Sequence, residues 1–115
     1  MMDGAWIAQL RKGFAEYVIL LALRGREAYG YEILQMLSGD EALTLGESTV
    51  YPLLGRLTED GYMLVREARS ASGPPRRYYR LTPQGKDRLN AMNAYWGKLG
   101  QSIERAQKGD FHESK

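Results

Sequence analysis

Gly73-Pro74-Pro75 is the segment that most limits what this chain can fold into. Neither proline has an N–H to give to a strand or a helix interior, so no regular element runs through it. The runs on either side, YMLVREAR and RRYYRLT, are apolar, β-branched and aromatic, and they read as two short strands of a hairpin around the turn-rich SASGPP. The other prolines place helix ends. Thr82-Pro83 is a helix start, with Thr as N-cap and Pro at the first helical position, and the helix runs to about Gln107. Pro52 lies in STVYPLLGRLTEDGY, residues 48–62. If Ser48 or Thr49 caps that helix, Pro52 falls at its third or fourth position, where a missing N–H costs at most one intrahelical bond. Asp60-Gly61 closes its far end.

The first half of the chain reads as two more helices. One covers residues 5–23, with Gly13 as a candidate break; its second half, FAEYVILLAL, is apolar nearly all round and belongs in the centre of a core. After the polar turn Arg24 to Glu27, AYGYEILQML forms the other, with Ile33, Leu34 and Leu37 inward, ending at Ser38-Gly39-Asp40. Three helices, a hairpin and a long helix give a mainly α fold with a small β-hairpin: the order of a winged helix-turn-helix followed by a C-terminal helix. The expected division is residues 1–81 for the winged module, 82–108 for a dimerisation helix and 109–115 for a polar, aperiodic tail expected to be disordered.

The third helix carries the first functional hint. Val50, Leu53, Leu54 and Leu57 recur at helical spacing and form its buried stripe, while the opposite face holds Ser48, Pro52, Gly55 and Glu59, flanked by Thr49, Tyr51 and Arg56. That outer face is small and lightly charged, as a helix entering the DNA major groove requires at its N-terminal end; Glu59 is expected to point away from the backbone. Charge supports this. Residues 62–90 hold seven bases against two acids, whereas residues 1–61 hold five bases against nine acids. A basic region on an acidic body suits a polyanion. Arg76 and Arg77 at the exit of the hairpin loop, and Arg69 at its other shoulder, can reach phosphate or the minor groove. The plain alternative is a solvated hairpin that happens to be basic.

Other chemistries fit poorly. There is no cysteine, and the only histidine, His112, lies in the tail, which removes thiolate and imidazole catalysis and leaves no plausible metal ligands or cofactor site. The carboxylates are dispersed, so an enzyme is not expected. The apolar run Tyr17 to Leu23 is far too short to span a bilayer, and a soluble, cytoplasmic protein is expected.

Along the last helix Leu89, Met92, Trp96, Leu99, Ile103 and Ala106 alternate spacings of three and four, an a/d seam. Pairing with a second copy is the simplest way to cover so narrow a stripe; packing on the chain's own first helix is the alternative. Trp96, near Gly97 and Gly100, is either a packed interface residue or a place for a flat aromatic effector to stack.

At YGYEIL (29–34), STVYPLLGRLTEDGY (48–62) and GPPRRYYRLTPQGK (73–86), the chain resembles the PadR family of bacterial transcriptional regulators, over roughly residues 10–90 and in its smaller branch with a single C-terminal helix. The resemblance implies a homodimeric winged-helix repressor that binds double-stranded DNA through its third helix and wing. In some relatives planar aromatic compounds act near the dimer interface. By position, it implies DNA contacts at Ser48, Thr49 and Tyr51, at Tyr29 and Gly30 opening the second helix, and at Arg76 and Arg77 in the wing; Trp96 matches an aromatic position in the last helix of some members. Tyr51, Tyr78 and Tyr79 could equally fill space between wing and bundle, a reading favoured for the last two. With Gly55 present, Arg56 is the only base in the middle of the recognition helix. The competing function is a winged-helix dimer that binds proteins and has no DNA role.

Overall fold

In a computed structural model of the chain, residues 4–111 are described. The elements run α1 (Gly4–Ala22), β1 (Ala28–Tyr29), α2 (Gly30–Ser38), α3 (Glu47–Glu59), β2 (Met63–Ala68), β3 (Arg76–Leu81) and α4 (Pro83–Gln107). The expected helices and hairpin are present. His112 and the rest of the expected tail lie outside the described residues, and α4 ends in a turn at Lys108 and Gly109.

Helix α1 passes through Gly13 unbroken, and a Cβ there would meet nothing within 4 Å, so this glycine answers no steric demand. Val18, Ile19 and Leu20, three consecutive residues, are all buried, which is what an apolar run on every side of a helix predicts. They meet Ile33 and Leu37 of α2, Val50, Leu54 and Leu57 of α3, Met63, Tyr79 and Leu81 of the sheet, and Leu89 of α4 in one core.

Ala28 and Tyr29 do not begin the second helix. They form a short strand, β1, that pairs antiparallel with β3 through Ala28↔Tyr79 and Tyr29↔Tyr78, making a three-stranded sheet of order β1-β3-β2. Helix α2 then starts at Gly30, and the Tyr29 N–H donates to the Glu32 carboxylate at 3.0 Å. Helix α3 begins at Glu47, two or three residues earlier than a Ser48 or Thr49 cap would place it, with Gly46 as N-cap. Leu45 and Val50, both buried, flank that cap at the positions of a hydrophobic staple and fix the chain's entry. Pro52 therefore sits at the sixth helical position, where it cannot donate to the Ser48 carbonyl, and the helix continues through it. The far end closes as a Schellman turn: Gly61, at φ +87°, donates to Thr58 and Tyr62 donates to Leu57.

The start of α4 is built around Thr82. Its hydroxyl donates to the Gly61 carbonyl at 2.6 Å and accepts the Gly85 N–H at 3.0 Å, while its own N–H reaches the Tyr62 carbonyl at 3.1 Å. The close approach requires glycine at 85, because a Cβ there would lie 2.1 Å from the Tyr62 carbonyl oxygen. Beyond Trp96 α4 leaves the core. The radius of gyration is 16.9 Å, where a compact chain of this length would have about 13 Å. No helix among the described residues is long and apolar enough to cross a membrane.

Gly85→Ala should lower stability by about 1–3 kcal/mol, the usual range for overpacking a site that cannot give. Urea unfolding should show a lower midpoint at an unchanged slope; an unchanged midpoint would mean that α4 can move off Tyr62 at no cost.

Candidate nucleic-acid interface

The outer side of α3, the first residues of α2 and the base of the wing enclose an open groove of about 810 Å³. Tyr29, Tyr51, Pro52, Gly55, Arg76 and Arg77 are in its walls. The small residues of α3 are what open it: Gly55 is exposed and meets nothing, so no side chain fills the space beside Pro52. Ser48, Thr49 and Tyr51 occupy the first two turns of α3, with Ser48 exposed and Thr49 half-buried. Glu59, expected to point away, lines the groove at its C-terminal end and bounds it with negative charge.

Tyr51 reaches from α3 across the opening of α2. A Cβ at Gly30 would lie 2.4 Å from the Tyr51 ring, so glycine at 30 is what lets the two helices meet this closely. Burial, with Glu47 and Tyr79 nearby, holds the Tyr51 phenol above its usual pKa, which keeps it a neutral hydrogen-bond donor.

The β2–β3 register divides the wing between two faces. Met63, Val65 and Glu67 pair with Leu81, Tyr79 and Arg77 on the core side, and Leu64, Arg66 and Ala68 pair with Arg80, Tyr78 and Arg76 on the outer side. The two neighbouring wing arginines thus leave the strand in opposite directions, Arg77 on the α3 side and Arg76 over the Tyr29 ring, 4.4 Å from its centroid. Tyr29 in turn meets Tyr78 edge-on at 5.4 Å. Tyr79 is buried, as a space-filling role requires. Arg69 is exposed at the loop, which Ser70 closes by donating to the Pro74 carbonyl; Gly73, at φ +122°, supplies the turn.

Two carboxylates hold arginines in ion pairs. Glu16 on α1, 17% exposed at its side chain, binds Arg88 of α4 and, at 3.4 Å, Arg56. Arg56, expected among the DNA-contacting residues, lines the groove with its side chain more than half exposed while it pairs with Glu16 on α1. Glu27 grips Arg66 through two bonds of 2.7 and 2.6 Å, and Arg66 also lies over Tyr78. Arg66 donates to the Glu27 carboxylate and lowers its pKa. Glu16 and Glu27 gave no sign of these roles in the sequence, because their partners lie 39 to 72 residues away.

The α4 seam divides as well. Leu89 is buried in the chain's own core, not free for a partner, and Met92 packs against that core. Trp96 stacks on Tyr17 of α1 at 5.6 Å and 9°, with Phe14 edge-on at 6.5 Å. Packing on the first helix thus accounts for the first half of the stripe. Leu99 and Ala106 are half-buried and Ile103 is exposed.

The profile of the PadR-like family of transcriptional regulators matches residues 19–91, a span that holds α2, α3, the wing and the α4 start. The chain belongs to this family. A PadR-like transcription factor from Bacteroides fragilis is 38% identical and superposes with a TM-score of 0.74 over 90% of this chain and 99% of that one. A PadR-family regulator from Eggerthella lenta, 29% identical, superposes at 0.79 over 90% and 89%. PadR of Bacillus subtilis, solved in complex with operator DNA, is 29% identical with a TM-score of 0.64, over 68% of this chain and 45% of that one. The PadR-like family consists of regulators, so the absence of a catalytic constellation in the sequence agrees with the kind of protein this is.

The Glu27 carboxyl should titrate below the ordinary glutamate value, and Arg66→Ala should raise it toward that value, with Arg80 still acting on it. Because the folded-state pKa is depressed, the pair's contribution to stability is present above the unfolded value and disappears as pH falls through the folded one. Carboxyl chemical shifts followed by NMR across the acid range would check both statements.

Proposed function

We propose that the protein is a homodimeric, sequence-specific DNA-binding repressor that reads an inverted repeat with the N-terminal half of α3 and contacts the flanking backbone with its wing. The observation that carries the reading is convergence. Tyr51 on α3, Tyr29 and Gly30 at the start of α2, and Arg76 and Arg77 of the wing border the same groove, and Ser48 and Thr49 lie in the first turn of α3, just before Tyr51. Hydroxyls near the helix start read base edges, and guanidiniums on either side hold phosphate. The operator complex of the B. subtilis relative, which is similar over 68% of this chain, supports carrying this partner over. Arg69 adds to the wing's charge, and Arg56 contributes only when it leaves Glu16.

Dimerisation is supported by apolar side chains that the single chain does not cover. Trp6 and Leu10 on α1, and Tyr95 and Ile103 on α4, are between 45% and 63% exposed. A Cβ at Gly97 or Gly100 would meet open space, which leaves room for the backbone of a second copy. Leu99, Ile103 and Ala106 continue this face, and twofold pairing matches the symmetry of a palindromic site. Repression is the outcome the family resemblance implies. Release by a planar aromatic effector is the remaining part of the reading: Tyr17 covers one face of the half-buried Trp96 indole, and the effector would stack beside it.

Selection from random duplex DNA should enrich an inverted repeat with half-sites about one helical turn apart. Failure to enrich any sequence with the purified dimer would favour the protein-binding alternative. Arg76→Ala with Arg77→Ala should weaken binding at all sequences and reduce the log–log salt slope by about 0.9 per lost phosphate contact; an unchanged slope removes the wing from the interface. Ile103→Asp should yield monomers in analytical ultracentrifugation without loss of helix content, and a variant that stays dimeric would place the interface elsewhere.

A further inference from the structure

The basic charge between residues 62 and 90 is not exhausted by the wing. On the outer face of the sheet, Arg76, Tyr78 and Arg80 follow one another along β3, beside Leu64 and Arg66 of β2. Two shallow clefts lie there, one with Arg26, Arg80 and Lys86 in its wall and one with Leu64, Arg66 and Arg80. Arg80 and Glu27 belong to both, so the surface is continuous from the wing to the first turn of α4.

We propose that this outer face, through Arg26, Arg80 and Lys86, is a second DNA-contacting surface that takes the sugar-phosphate backbone of duplex flanking the half-site. The inference rests on the DNA-binding reading above and extends it to a part of the duplex that the α3 groove does not touch. Charge is the first support. In its two clefts the face carries Arg26, Arg66, Arg80 and Lys86 against the carboxylate of Glu27, which binds Arg66 and also feels Arg80, and Glu32 joins Arg26 only in a neighbouring cleft. Among the described residues, Arg26, Arg80 and Lys86 make no ion pair, and all three are exposed. Cations gathered with too few acids repel one another, and an arriving polyanion relieves that repulsion.

Continuity is the second support. Arg76 and Arg80 share a face four residues apart, about 13 Å along a strand, which corresponds to roughly four base-pair steps at 3.4 Å each. A backbone that meets Arg76 at the wing therefore meets Arg80 next and Lys86 beyond it. The only strongly apolar group on the strip is Leu64, too little to anchor a protein segment by burial. A strand of phosphates needs no such anchor, and guanidiniums match phosphate oxygens two at a time.

The test compares two duplexes that carry the selected inverted repeat. One ends at the outermost half-site base pair, and the other is extended on each side by about one helical turn. For the full-length protein, the salt slope on the extended duplex should be steeper by up to about 5.4, three contacts at about 0.9 each in each of the two protomers. The triple variant Arg26→Ala, Arg80→Ala, Lys86→Ala should show the same slope on both, with affinity for the short duplex within twofold of the parent. That short duplex is also the control for folding. Arg26→Lys with Arg80→Lys, which keeps the charge, should retain the steeper slope. Equal slopes for the unaltered protein on both lengths overturn the proposal, as does a triple variant weakened equally on both, including one that binds only acidic proteins. If neither duplex is bound by the unaltered protein, the DNA-binding reading itself has failed.

Discussion

The hydroxyl of Thr82 is the point on which the arrangement of the molecule turns. It is buried, it gives its proton to the Gly61 carbonyl and it receives the Gly85 N–H, so one oxygen joins the end of α3 to the start of α4. With the Thr82 N–H on Tyr62, the same residue ties the last strand to the turn that follows α3. A buried hydroxyl with both functions satisfied costs nothing to bury, whereas losing it would strand a carbonyl and an amide together. Because α3 lies against the core through Val50, Leu54 and Leu57, the knot at its C-terminus leaves its N-terminal turns as the free end. The groove has a fixed wall for that reason.

Much of this was legible because prolines and glycines state backbone requirements directly. Gly73-Pro74-Pro75 located the wing loop, Thr82-Pro83 located α4, and the spacing of Val50, Leu54 and Leu57 located the buried side of α3. The starts of α2 and α3 were less legible, each for a physical reason. A strand of two residues such as Ala28–Tyr29 has no period to detect, and it exists only because β3 is there to pair with it. Gly46 served as cap in place of two better capping residues, because burial of Leu45 against Val50 decided where the helix begins. The signals were present in both cases: Glu32 stands three residues after Tyr29, and Leu45 stands directly before Gly46.

The basic residues show how far a charge count reaches. It found the correct region and could not say which cations were already committed. Arg66 and Arg88 lie in that region, yet Glu27 and Glu16 hold them, and Arg88 also rests on the Tyr62 ring. These acids belong to the part of the chain whose charge is negative overall. Of the bases between residues 62 and 90, those in no ion pair among the described residues are Arg69, Arg76 and Arg77 at the wing, Arg80 on the outer side of the sheet and Lys86 on α4. Arginines that stack on tyrosines, such as Arg76 on Tyr29, are oriented before any ligand arrives, which reduces the ordering cost of binding.

Helix α4 changes its role part-way along. Up to Trp96 its side chains belong to the core or lean on α1, and beyond Trp96 they stand mostly clear of the rest of the chain. The boundary between the part of α4 that is packed on the core and the part that is not thus falls inside a single helix, without a linker. Evolution can lengthen, shorten or rewrite the distal part with no repacking of the DNA-binding module, because no buried contact crosses that point. The similarity to the B. subtilis relative extends over 68% of this chain and 45% of that one, so the two chains differ in length outside the part they share.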